Sequence, residues 1–351
     1  MKMKYFGREN VLEYTEKDEG RQEPLPGGKW QDSTWLQWWD FENGVGGVHR
    51  IGHEYNDEGG PFCAGWTNLV TPQGVFKHVT YLPLREEDKL ANGWGSGDGV
   101  ARNEIVDDEH IWIIESPEND ISARLVFRDY HGAFRGFPSS GDTAEHISAH
   151  HIDISGTVTG TVTMKGRTFE VNGMGLRDHG WGHRDVNKIL SHRYVTGCFG
   201  PDLSFCAYSV CNGVTDTIEK FGWVVKGDEV HFVKDVDMVT YAEVDTVSIR
   251  GGHLKLTLPD GEVLDIELTA VAPGLMNYFH KMFNNNTLCV AEYNGRKGAG
   301  HWESSANFYS GEREPTKMFR ALAHNGYYEG AASGHGTPDP DSPFMRTTTV
   351  G

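Results

Sequence analysis

Apolar side chains recur at every second position along most of this chain, and short turn signals interrupt the runs. Only an extended backbone puts residues i, i+2 and i+4 on one face, so the pattern demands strands. Val158, Val162 and Met164 lead into Lys165-Gly166, and Phe169 and Val171 lead out. Leu254, Leu256 and Leu258 flank Asp260-Gly261 with Leu264, Ile266 and Leu268. Residues 223–233, turning at Lys226-Gly227-Asp228, and residues 111–127, turning at 116–120, make two more hairpins. Helical periodicity is confined to two short stretches, 276–283 and 186–192, which argues against a parallel βαβ fold.

Many hairpins in 351 residues with 44 glycines predict an all-β chain of antiparallel barrels or strongly curved sheets. Closure removes exposed strand edges. One eight-stranded barrel needs far fewer residues than are present, so two in tandem is the economical arrangement. We expect an N-terminal barrel over residues 1–185, a C-terminal barrel over 186–329, and a disordered Gly/Pro/Ser/Thr-rich tail over 330–351.

Charge narrows the partners. The formal net charge is −18 and no Lys/Arg cluster interrupts it, which excludes a broad grip on nucleic acid or on an anionic membrane. No run approaches the ~18 apolar residues of a membrane-spanning helix. Residues 1–30 hold no apolar core of signal-peptide length, and the five cysteines form no CxxC pair, so a reducing cytoplasm is expected. The sequence lacks GxGxxG, Walker A, GxSxG and EF-hand patterns, and no cofactor is called for.

Chemistry concentrates between Arg177 and Asp185, where two carboxylates, two imidazoles, two guanidiniums and an indole fall together. On an extended backbone Arg177, His179, Trp181, His183 and Asp185 share one face, and Asp178 and Arg184 the other. Arg177/Asp185 and Asp178/Arg184 could equally be ion pairs that cross-link two domains. His179 and His183 have metal-ligand spacing but no obvious third ligand, so no metal site is expected. A second cluster is the Trp-rich strand that places Trp35, Gln37, Trp39 and Phe41 on one face, followed by a return strand bearing His49, Ile51 and His53. These strands would line an aromatic pocket or simply build core. Glu145-His146 and His150-His151 read as a solvated loop end, and Glu303 as a lone carboxylate on a late strand that becomes a proton donor if it faces inward.

The run Arg177-Asp178-His179-Gly180-Trp181-Gly182-His183-Arg184-Asp185 resembles the RDHxWGxRD signature of AttH-like proteins, a family related to carotenoid 1,2-hydratase, with Gly180 where Ser is common and His183 where Pro is common. Weaker likenesses at Gly44-Val45-Gly46-Gly47 and Gly300-His301-Trp302-Glu303 extend the resemblance over about residues 30–310. It implies a tandem pair of lipocalin-like barrels, a cavity for a hydrophobic small molecule, and an active-site His-x-Trp pair at His179 and Trp181. The expectation is a cofactor-independent hydratase or dehydratase, with isomerase activity as a variant, acting on an isoprenoid-like alkene or tertiary alcohol. In that scheme Asp178 or Glu303 donates a proton, Trp181 and Trp39 stabilise the cation, His179 handles water, and Arg177 and Asp185 orient it, with His183 and His49 nearby. A non-catalytic carrier and a pericyclase are the alternatives, and a homodimer is left open.

Overall fold

The computed structural model describes residues 3–25, 28–55, 60–215, 217–243, 248–279 and 282–307; the expected tail 330–351 lies outside them. The first strands are β1 (Lys4–Phe6), β2 (Trp30–Asp40), β3 (Val45–Tyr55), β4 (Phe62–Thr71), β5 (Gly74–Pro83), β6 (Gly93–Gly95), β7 (Ala101–Val106), β8 (Glu109–Ser116), β9 (Ile121–Asp129), β10 (Phe134–Arg135), β11 (His150–Met164) and β12 (Arg167–His183). There follow β13 (Ile189–Cys198), β14 (Ser204–Asn212), β15 (Ile218–Lys226), β16 (Glu229–Phe232), β17 (Asp235–Ala242), β18 (Ile249–Thr257), β19 (Val263–Ala270), β20 (Leu275–Phe279), β21 (Met282–Tyr293) and β22 (Arg296–Ala306). Among the described residues the one α-helix is α1 (Asp142–His146), and no helix is long and apolar enough to cross a membrane.

Two curled sheets result, as the alternation demands. One runs β5-β4-β3-β2-β12-β11-β9-β8-β7-β6, with β10 on β11; the other runs β1-β16-β15-β14-β13-β22-β21-β19-β18-β17, with β20 on β21. All neighbours are antiparallel except β1, which crosses from the N-terminus to pair in parallel with β16 of the second sheet. The four hairpins expected from sequence are β11/β12, β18/β19, β15/β16 and β8/β9. In β11/β12 the turn residues Lys165 and Gly166 both take positive φ, 51° and 73°, the conformation whose twist matches the flanking strands.

Both expected helices are corrected. Residues 276–279 and 282–283 of the expected stretch lie in strands β20 and β21, and Leu275 and Asn277 are buried while Met276 and Tyr278 are exposed, a period of two. Residues 186–188 form a single 3-10 turn, capped by Asp185, before β13 begins. Among the described residues the end strands of each sheet are not joined by a ladder, so each barrel keeps a seam.

Three large apolar clusters, with smaller ones beside them, form among the described residues. Leu36, Trp38, Trp112 and Val158 fill the first half-barrel, and Val195, Leu254, Ile266 and Trp302 the second. Between them lies a third, in which Trp35, Val48 and Leu176 of the first sheet meet Tyr194, Tyr208, Phe221 and Trp223 of the second. This middle layer explains why β2 and residues 175–182 of β12 are buried on both faces: one looks into a barrel, the other at the neighbouring sheet.

Candidate active site

The β11/β12 turn fixes a register in which Asp153 lies directly opposite Asp178. Both carboxylates point into the middle layer. Tyr194 of β13 reaches across from the second sheet, its hydroxyl 3.2 Å from Asp153 Oδ1 and 3.3 Å from Asp178 Oδ2. His151 spans the same pair, with Nδ1 3.2 Å from Asp153 Oδ2 and Nε2 3.5 Å from Asp178 Oδ2. Trp223 Nε1 also donates to Asp153, at 3.3 Å. Gly136 makes room for this cluster, since a Cβ there would run into the Asp153 carboxylate and the Trp223 indole. Burial opposes charge on His151, but the Asp153 and Asp178 carboxylates more than reverse it, and its pKa is pushed up to about 10. Burial, reinforced by the same carboxylates, raises Tyr194 well above the ordinary phenol value, so its O–H stays a donor.

A second carboxylate–imidazole pair forms the facing wall. His192 Nε2 lies 2.7 Å from Glu303 Oε1, and the Ser305 hydroxyl 2.6 Å from Nδ1. An ionised carboxylate can only accept, so the shared proton sits on Nε2. Burial pushes the Glu303 carboxyl up, yet the hydrogen bond and charge of His192, with His301, prevail and hold it below its ordinary value. Glu303 is therefore an anion, not the raised-pKa proton donor expected from sequence. Tyr208 stacks on His192 at 5.5 Å between ring centroids. The two pairs line one cavity of about 80 Å³, with Trp35 and Phe137 among its aromatic walls.

Other expected residues are elsewhere. His179 points into the first half-barrel, 1% exposed, with Nδ1 2.7 Å from the Asp18 carbonyl and Nε2 2.7 Å from Asp32 Oδ1, which leaves neither nitrogen for water or metal. Asp32 also accepts from Trp94 Nε1 at 2.8 Å. Trp181 is buried beside it, stacked on His179 at 4.6 Å and on His150 at 5.2 Å. Arg177 pairs with Glu19 and Asp129 rather than Asp185, and Asp185 pairs with Lys29. Arg184 lines the cavity but donates to the Ile147 carbonyl, while Asp178 holds His151 and Tyr194 in place of the expected ion pair. His183 is exposed at the end of β12, beyond Gly182, whose φ is 116°. Trp39 packs in the middle core outside the cavity, and the wall is Trp35, four residues earlier on the same face. His49 lies inside the first half-barrel and accepts from Trp38 Nε1 at 3.0 Å; burial lowers its pKa to about 3. His53 sits there too, against the Gly95 carbonyl at 3.1 Å.

His151, assigned by sequence to a solvated loop end, is buried. Sequence reading passed over Asp153, Tyr194, Tyr208 and Ser305, and took His192 only as the end of a helix. Counting back from the Lys165-Gly166 turn places Asp153 opposite Asp178 and His151 two residues before it; nothing local signals the contribution of β13, β14 and β22.

The fold has relatives of known structure. A putative AttH from Nitrosomonas europaea superposes with a TM-score of 0.62 at 10% identity, over 85% of this chain and 97% of that one. Kievitone hydratase from Nectria haematococca gives 0.56 at 11% identity, over 87% and 96%, and CghA gives 0.56 at 10% identity, over 81% and 90%. Curated proteins provide no sequence match. At these identities the likeness establishes the tandem lipocalin-like fold, and one neighbour carries the name of a hydratase. A family model described as a domain of unknown function, DUF7064, matches residues 15–308, and the chain belongs to that family.

Proposed function

We propose that the protein is a cofactor-independent hydro-lyase that removes water from, or adds it to, a hydrophobic isoprenoid-like alcohol or alkene held between the two half-barrels. One observation carries the reading. Asp178 and Glu303, far apart in sequence, line one buried cavity, each bonded to an imidazole and faced by aromatic rings.

In the dehydrating direction, the protonated His151, with the Tyr194 hydroxyl beside it, donates a proton to the substrate hydroxyl, which leaves as water. Asp153 and Asp178 hold that proton source and offset its charge. The face of Trp35 stabilises the carbocation, and Glu303 takes the proton from the adjacent carbon to give the alkene. A weak base suffices, because a C–H beside a carbocation is strongly acidic. The proton gained by Glu303 and that lost by His151 exchange with the released water, and hydration is the reverse. The apolar wall keeps bulk water from capturing the cation indiscriminately.

Purified protein is incubated, without added cofactor, with tertiary terpene alcohols, their alkenes and hydrophobic aromatic alcohols, and products are read by mass spectrometry. A water-mass change in the wild type that Asp178→Asn and Glu303→Gln both abolish is expected. Retention of a panel member with no mass change, equal in all three proteins, would favour a carrier and overturn the reading.

A further inference from the structure

Behind the ring of Phe137 lies a second, smaller cavity of about 20 Å³, bounded on its outer side by the N-terminal segment at Arg8, Val11 and Leu12. It shares only two lining residues with the acid/base cavity, Phe137 and His151. Their rings are stacked, centroids 3.7 Å apart and planes 8° from parallel, so this stack is the partition between the two spaces.

In this partition Phe137 is held by ring packing alone, on His151, Tyr208 and Phe221, with no hydrogen bond to its side chain. Of the aromatic residues lining the active cavity, Phe137 alone lies outside a strand. Tyr194 is tied to two carboxylates, and His192 to Glu303 and Ser305. Phe137 has no polar side-chain atom to anchor. Its main chain is gripped from the N-terminal segment, where Arg8 Nη1 donates to the carbonyls of Gly136 at 3.0 Å and Phe137 at 3.2 Å. The same guanidinium sits 3.8 Å over the ring of Phe232 in the second sheet. The space of about 80 Å³ is well below the ~300–1,000 Å³ of ordinary ligand pockets, so a substrate of isoprenoid size needs a wall to yield.

We propose that Phe137 is the specificity-determining residue of the cavity: it turns out toward the N-terminal vestibule, yields the face of His151 to a planar, π-rich part of the substrate, and so sets how long a substrate fits. The inference rests on the active-site reading above. A flat ring over the His151 imidazolium keeps the cation–π contact that Phe137 now makes, and a longer substrate continues past Arg8 and Leu12, the latter 45% exposed.

The test is a binding series with 4-alkylphenols from 4-ethylphenol to 4-nonylphenol, followed by quenching of tryptophan fluorescence and by calorimetry. Phe137→Ala should tighten 4-nonylphenol about tenfold or more while changing 4-ethylphenol less than about threefold, because only the longer chain gains buried methylenes. Phe137→Trp should weaken the long members, and Arg8→Ala should act as Phe137→Ala does, to a smaller extent. Equal changes along the series, or no binding in any of the four proteins, would overturn the proposal. If circular dichroism shows Phe137→Ala unfolded, Phe137→Leu and Arg8→Ala carry the same comparison. Length dependence without turnover by the wild type overturns the hydro-lyase reading and keeps the gate; turnover whose substrate range ignores Phe137 does the opposite.

Discussion

The two faces of β12 carry adjacent residues of one motif into different environments. Asp178 looks into the middle layer, where it meets His151 and Tyr194 at 3.5 and 3.3 Å beside an open cavity. Arg177, His179 and Trp181 look the other way: Arg177, paired with Glu19 at 2.9 Å and Asp129 at 3.1 Å, walls a separate cavity of about 700 Å³, while His179 is closed between Asp32 and the Asp18 carbonyl and Trp181 lies within a stack of rings. A charged cluster can thus be half chemistry and half fastening. The discriminator is not residue type but whether the polar atoms have space left for a substrate.

The largest effects should separate along that line. Asp178→Asn keeps the shape and hydrogen bonds of the site but removes a counter-charge of His151. Turnover should fall about 10²–10⁴-fold, while urea unfolding moves by only about 1–2 kcal/mol. His179→Ala should do the reverse. It leaves the buried Asp32 side chain without the imidazole it now bonds and should cost about 3–5 kcal/mol of folding stability, with turnover at a permissive temperature within about tenfold of the wild type. A His179 variant that folds as well as the wild type yet has lost turnover would break the comparison.

The faces should also titrate in opposite directions. Burial would raise the Glu19 carboxyl, but Arg177 and His110 override it and hold it well below the ordinary 4.5. A depressed carboxylate stabilises the fold above its unfolded pKa, and that contribution is lost as pH falls through the folded value. His151 is raised from 6.5 to about 10, so its contribution is present below 6.5 and lost as pH rises toward 10. Arg177→Met should therefore flatten the acid limb of the stability–pH curve, and Asp178→Asn should pull the alkaline limb to lower pH, each on the order of 1–2 kcal/mol. Urea midpoints measured from pH 3 to 10 read both limbs, and a variant that altered the opposite limb would show that the faces are coupled through the strand.

The parity of β12 was legible in the sequence: Arg177, His179 and Trp181 do share one face, and Asp178 the other. Which face meets the cavity was not legible in the motif itself, because residues 175–182 of β12 are buried on both sides and burial removes the polar-out signal that orients the half-exposed start of the strand. The hairpins were readable because their turns are local. The wall formed by Tyr194, Tyr208, His192 and Glu303 depends on β13, β14 and β22 meeting β12 across the middle layer, a contact between distant segments with no periodic signature. Trp35 and Trp39 show the same limit at finer grain. Alternation gives them one face, and only the docking of the second sheet decides which reaches the cavity.

The smallest effect belongs to the end of the motif. Asp185 is a third exposed, pairs with the equally exposed Lys29 at 3.1 Å, and caps the 3-10 turn by accepting from the Asn187 amide at 3.2 Å. A screened pair of this kind adds little, and the cap of a single turn guards few amides. Asp185→Ala should cost no more than about 1 kcal/mol and leave turnover within about twofold. That small number tests the comparison sharply. Asp185 precedes Val186, which lines the cavity, so its carboxylate is one residue from the active wall yet turned to solvent. If proximity along the chain conferred function, Asp185→Ala would cost turnover as Asp178→Asn does. If orientation confers it, the variant unfolds slightly earlier in urea and turns over substrate at the wild-type rate.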